Sequence, residues 1–142
     1  IQLQKIEDFN KARKQNYNGL KKVFSDLEDH FELPKINPDA EPVFFGLPLM
    51  IKNPKIKRQD LVKFLNSNGV GTRCVFGGNL LYQPAYKDVD YRICKNLIQT
   101  DKIFKNAFWI GIHPNINKGA IDHIESKFKE YINRIDKISN SL

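Results

Sequence analysis

The sequence is poor in cysteine, methionine and tryptophan, and it has no long apolar run. Its 142 residues include two cysteines, one methionine and one tryptophan. The two thiols, Cys74 and Cys94, cannot build a disulfide framework, complete a zinc site or ligate an ordinary iron–sulfur cluster. They are expected to be reduced and buried. No stretch approaches the roughly 18 apolar residues of a membrane span. No signal-peptide pattern opens the sequence. Together these absences predict a cytoplasmic protein that keeps off the membrane. RNA-binding, zinc-finger and basic-zipper signatures are also missing, which argues against nucleic acid as a partner. The first residue is Ile1, not methionine, and a helical pattern starts at once, so a piece of a longer protein is expected.

What is present is a basic, moderately apolar chain. Hydrophobic residues make up 41% and the net charge is +7, enough for a packed core and against disorder. The length fits one domain, residues 1–142. The excess charge could attract a phosphate-bearing partner. Lys21-Lys22, Lys52, Lys55, Lys57-Arg58 and Lys127-Lys129 fall on different expected elements, however, and read as a solvated surface.

Hydrophobic spacing supplies the order of elements. Ile6, Phe9, Tyr17, Leu20, Phe24, Leu27 and Phe31 predict one helix over 2–31, weakened by Gly19 and closed by Pro34. Three prolines make 34–42 an extended connector. The run 43–51 reads as a strand in which Gly46 and Pro48 demand a bulge or an edge. A helix over 58–68 turns Leu61, Val62, Phe64 and Leu65 inward and stops at Gly69. A strand follows over 70–76, then a loop. Thr100 is placed to cap a short helix to about 106. A strand over 108–112 and a closing helix over 119–138 complete the chain. The sum is an α/β (α+β) layer, a small three-stranded sheet covered by helices.

Chemistry-bearing residues are sparse. His30 and His123 fall in helical patterns, and His113 follows the third strand as a loop residue. No serine has a nucleophile setting and no phosphate-loop or dinucleotide fingerprint occurs. The dense part is Gly71 to Tyr86. It places Arg73 on a short strand, then Phe76, two glycines, Asn79 and Gln83. The planar guanidinium fork suits phosphate or carboxylate, and amides with aromatics suit sugars and bases. A tight turn with a surface arginine, in which Arg73 pairs with a local carboxylate and Asn79 caps the turn, explains the same residues.

Three segments resemble one family in order and spacing. They are Phe44-Phe45-Gly46-Leu47-Pro48-Leu49, then Gly71-Thr72-Arg73 through Gln83-Pro84, then Thr100-Asp101 with Phe108-Trp109-Ile110-Gly111-Ile112-His113-Pro114. The whole is similar to the C-terminal domain of the DegT-type sugar aminotransferases and dehydrases. Within that family it looks closest to the nucleotide 4-keto-6-deoxy-sugar 3-dehydrases of lipopolysaccharide dideoxysugar synthesis. Gly77 stands where relatives often have alanine. Leu81-Tyr82 replace a common Thr-Arg pair, and His113 and Asn115 replace tyrosine and glycine.

The resemblance implies a fold-type I enzyme that works as a homodimer in the cytoplasm. Its large domain, absent from this chain, would bind pyridoxal or pyridoxamine 5'-phosphate, and the small domain would close over the site. The coenzyme would act as the electron sink. An upstream lysine implies transamination, and a histidine in its place implies 3-dehydration. The substrate would be a nucleotide-linked 4-keto-6-deoxy sugar, with an iron–sulfur flavoprotein reductase as a further partner. Arg73, Phe76, Asn79 and Gln83 carry over as candidates for the substrate wall, and no catalytic residue or metal is expected in this chain. Trp109 reads as core or domain-interface packing. The face that meets the large domain is expected to be unusually apolar. A stand-alone basic binding module is the competing reading. Filter binding separates the two: this chain should hold nucleic acid no more tightly than about 1 µM at physiological salt, and tighter, salt-dependent binding would favour the basic module.

Overall fold

The structure is a computed structural model, and it describes residues 3–139. A 3-10 turn, Leu3–Lys5, leads into helix α1, Ile6–Ser25. Strand β1 is Phe31–Glu32 and β2 is Gly46–Ile51. Helix α2, Arg58–Ser67, precedes β3, Thr72–Cys74. Two 3-10 turns, Leu80–Tyr82 and Pro84–Tyr86, lie in the long loop before helix α3, Ile98–Asn106. Strand β4, Ala107–Gly111, and helix α4, Lys118–Ser139, follow. The strands form one antiparallel sheet in the order β1-β2-β4-β3.

The sheet has four strands where the sequence led to an expectation of three. The extra one, β1, lies at the end of the stretch expected as a single helix. That helix stops at Ser25, and the amide of Asp26 bonds back to the carbonyls of Lys22 and Phe24. Asp26, Glu28 and Asp29 follow, and negative charge at a helix C-terminus opposes its dipole. Leu27 and Phe31 are buried all the same. A turn and a strand present them to the core, so the helical spacing continued past the helix. Residue 2 of the expected helix lies outside the described residues.

Strand alternation divides the sheet into two faces. Leu47, Leu49, Ile51, Phe108 and Ile110 point to the helices and are almost fully buried. Behind them Phe128 of α4 meets Phe24 at 4.9 Å and Phe31 at 5.3 Å, both edge-on, and stacks on Phe108 at 6.4 Å. Gly19 allows the two long helices to approach, since a Cβ there would stand 2.8 Å from Ile121 Cδ1. Leu61 and Leu65 of α2 are buried, whereas Val62 and Phe64 are half-buried.

The opposite face carries a row of Pro48, Trp109 and Arg73, and beside it Met50 and Ala107. Pro48 needs no bulge. β2 pairs with β4 in unbroken register, while β1 reaches only Met50 and Ile51, so Pro48 sits where β2 is an edge. The cysteines correct the expectation of burial, for both are free and exposed. Cys74 ends the edge strand β3, and Cys94 lies in the irregular segment before α3.

The aromatic cluster predicts a measurable cost. Phe128→Ala should reduce the free energy of unfolding by about 3–5 kcal/mol, read from denaturant melts. A loss below about 1 kcal/mol would mean that α4 contributes little to the core.

Candidate functional site

Arg73 is held in place from below. The Asn66 side chain, at the end of α2, accepts from the Thr72 amide at 3.0 Å and donates to Thr72 Oγ1 at 3.0 Å. This pair of hydrogen bonds fixes β3, and Arg73 therefore projects from the open face opposite Trp109. Its Nη1 donates to the Thr72 carbonyl at 2.8 Å. No carboxylate among the described residues forms an ion pair with it. The local-carboxylate explanation of Arg73 is therefore not what the fold displays, and the guanidinium stays exposed.

Trp109 is half-buried beside it. Its Nε1 donates to the Cys74 carbonyl at 3.2 Å, and Phe45 meets the indole edge-on at 5.3 Å. Gly46 is required beneath the indole, because a Cβ would lie 2.4 Å from Trp109 Cε3.

The loop after β3 doubles back onto α3. Phe76 has φ +34°, in the left-handed region, and its side chain is 79% exposed. For a bulky residue this conformation carries backbone strain. Gly78 has φ +61° and lies against the ring of Phe104, where a Cβ would come within 2.2 Å. Gln83 reaches back across the loop, its Nε2 donating to the Gly77 carbonyl at 2.6 Å.

Asn79 is 3% exposed. Its Oδ1 accepts from the Leu81 amide at 3.0 Å, and its Nδ2 donates to Asp101 Oδ1 at 2.8 Å. The first bond is the capping role weighed from the sequence, and the second ties the loop to α3. Tyr82 stands over Phe104 with ring centroids 5.5 Å apart. The nearby negative charge of Asp101, with lesser help from desolvation and a hydrogen bond, pushes the Tyr82 phenol pKa up.

Arg73, Phe76 and Gln83 thus lie on one strand and the loop that leaves it, with Asn79 beneath. Asp101 and Phe104 were not singled out as site residues from the sequence. Asp101 falls in the Thr100-Asp101 motif, where Thr100 looked like the cap. In the structure Leu97 occupies the cap position and Thr100 lies inside α3. The useful signal was the carboxylate beside it. His113 is exposed, and its Nδ1 accepts from the Asn115 amide at 3.2 Å.

The surroundings are apolar and open. Leu80, Tyr86, Val89, Tyr91, Ile93 and Ile98 are all substantially exposed along the loop and into α3. Between β2 and α3 runs a groove of about 410 Å³ lined by Leu33, Pro34, Met50, Val75, Ile103 and Ala107, with charged residues at its margins. Exposed apolar area of this kind marks a surface that meets another. No described helix is long and apolar enough to cross a membrane.

Helices α1, α2 and α4 back one face of the antiparallel sheet, and Arg73 of β3 stands on the other. The sequence profile of the DegT/DnrJ/EryC1/StrS aminotransferase family matches residues 1–129, and the chain belongs to that family. It is 38% identical over 131 residues to the lipopolysaccharide biosynthesis protein RfbH of Salmonella typhimurium, covering 92% of this chain and 30% of that protein. It is 36% identical over 132 residues to the dTDP-4-dehydro-2,6-dideoxy-D-glucose 3-dehydratase of Saccharopolyspora spinosa, covering 92% of this chain and 28% of that protein. The E. coli GDP-4-keto-6-deoxy-D-mannose-3-dehydratase, solved with bound hydrated PLP, superimposes with a TM-score of 0.77 at 26% identity, over 89% of this chain and 32% of that one. The chain therefore spans about a third of the length of these relatives. The α+β fold is that of the corresponding part of fold-type I PLP enzymes.

The described residues do not by themselves fit that coenzyme. No lysine among them is buried, and the cavities are open grooves without an enclosed amine. No step through the coenzyme is assigned to these side chains.

The packing of Gly78 is directly testable. Gly78→Ala combines an unfavourable φ with overlap on Phe104, and should lower stability by about 1–3 kcal/mol or detach the loop. Faster cleavage of 75–98 by a protease, or a lower melting midpoint, would report it. An unchanged protein on both counts would contradict the packing described.

Proposed function

We propose that this chain is the small C-terminal domain of a pyridoxamine 5'-phosphate-dependent nucleotide-sugar 3-dehydrase. In that reading the intact protein removes the C3 hydroxyl of a nucleotide-linked 4-keto-6-deoxyhexose on the way to dideoxysugars of lipopolysaccharide. The coenzyme, bound by a larger domain, supplies the electron sink. The carrying observation is the guanidinium of Arg73 on the open sheet face, without an ion pair among the described residues, beside Trp109 and the strained Phe76. Similarity to a dTDP-sugar 3-dehydratase at 36% identity favours dehydration over transamination.

Within this reading Arg73 binds an anionic or hydroxyl-rich part of the substrate. Phe76 and Gln83 form the adjoining wall. Asn79 sets the loop beneath them. The exposed apolar loop meets the larger domain or the second subunit of a homodimer in the cytoplasm, and a reductase of the iron–sulfur flavoprotein class completes the cycle. Nucleic acid and membrane have no part in it.

The test uses the intact protein. Incubation with a nucleotide-linked 4-keto-6-deoxyhexose, pyridoxamine 5'-phosphate and an iron–sulfur flavoprotein reductase with its electron donor should yield a 3-deoxy product. Arg73→Ala should raise KM or lower kcat/KM by about 10–100-fold, the loss of a charge-assisted hydrogen bond. An amino sugar as product would mean transamination instead. Unchanged kinetics in Arg73→Ala would remove the arginine from the site.

A further inference from the structure

Between Thr72 and Ala107 a single residue is buried, and it is polar: Asn79. The loop it belongs to pairs with no strand and holds only two 3-10 turns. Ordering such a segment costs roughly 1–2 kcal/mol per residue in backbone entropy. A residue that is 3% exposed, with both its amide oxygen and its amide nitrogen hydrogen-bonded, is the natural place to look for what offsets that cost.

The bond runs to Asp101 in the first turn of α3. A carboxylate there is favoured by the helix dipole, and as an ionised acceptor it makes a stronger bond than a neutral one. Phe104, one turn further along, receives both Gly78 and the ring of Tyr82. Three contacts thus converge on one face of a nine-residue helix.

We propose that Asp101 is a positioning residue, which latches the loop to α3 through Asn79 and so holds Phe76 and Gln83 beside Arg73. It touches neither substrate nor coenzyme. Its effect passes through Asn79, whose other bond fixes the Leu81 amide, and through the turn that Gln83 closes on Gly77. Only the kinetic consequence rests on the sugar-binding reading above. The latch itself is a property of the loop.

Exchanging the two side chains tests it in the intact protein. N79D sets two carboxylates against each other, whereas N79D/D101N restores a carboxylate–amide bond with donor and acceptor interchanged. Hydrogen exchange at the Leu81 amide should speed up on the order of tenfold in N79D and return towards the original rate in the double variant. With a nucleotide-linked 4-keto-6-deoxyhexose as probe, KM should rise on the order of tenfold in N79D with kcat within about threefold, and recover in the double variant. A role in stability alone would not give this recovery of KM at constant kcat. Unchanged Leu81 exchange in N79D, or a double variant no better than N79D, overturns the latch. If N79D does not fold, recovery of a cooperative melt in N79D/D101N supports the proposal and its absence overturns it. Absence of turnover in the unsubstituted protein overturns the sugar reading, and the exchange rates then decide the latch alone.

Discussion

The pairing of β2 with β4 is the constraint on which the other features depend. In an antiparallel pair each register position sends both side chains to one side of the sheet. Leu47 with Ile110 and Leu49 with Phe108 therefore go to the helices, and Pro48 with Trp109 goes to the open side. A slip by one residue would drive Trp109 into the aromatic cluster around Phe128 and bring Phe108 to the surface. Because β3 pairs with β4 as well, the same register decides that Arg73 comes up beside Trp109. Core and open face are thus specified by one set of backbone hydrogen bonds.

The two sides are built by different physics. On the helix side, aromatic rings and branched aliphatics are packed with little polar content. On the open side, order comes from directed bonds: Trp109 on the Cys74 carbonyl and Gln83 on the Gly77 carbonyl. Such bonds contribute about 0.5–1.5 kcal/mol each but fix angles that apolar packing leaves free. That division suits a domain whose packed side supports and whose open side must present particular groups to something else.

Much of the helix side was legible from spacing alone. Leu20, Phe24, Ile124, Phe128 and Ile132 recur at helical intervals, and each is buried. The strand at Gly46–Ile51 could be read despite its glycine and proline, because the apolar run was dense. The boundary at Ser25 was not legible. Leu27 and Phe31 keep the helical interval while the backbone has already turned, and periodicity reports which residues are buried, not which backbone carries them there. Likewise Cys74 looked like a core thiol by composition, but the end of an edge strand leaves it uncovered.

For the candidate site, the sequence picked out one segment, in which the structure gives the residues two different surroundings. Arg73, Phe76, Asn79 and Gln83 share one strand and loop, but Asn79 faces down into the fold while Phe76 faces out. Residue type cannot separate these, since an amide serves a sugar hydroxyl and a backbone amide equally well. The partner that resolves it, Asp101, lies 22 positions away and meets the loop only after α3 has packed.

The sequence contains one tryptophan, and the fold sets its indole on the open face next to Arg73. The chain therefore carries an intrinsic fluorophore on the face opposite its aromatic core. Its emission reports the polarity of that face without any label. Quenching by a soluble collider would measure how much of the face is covered.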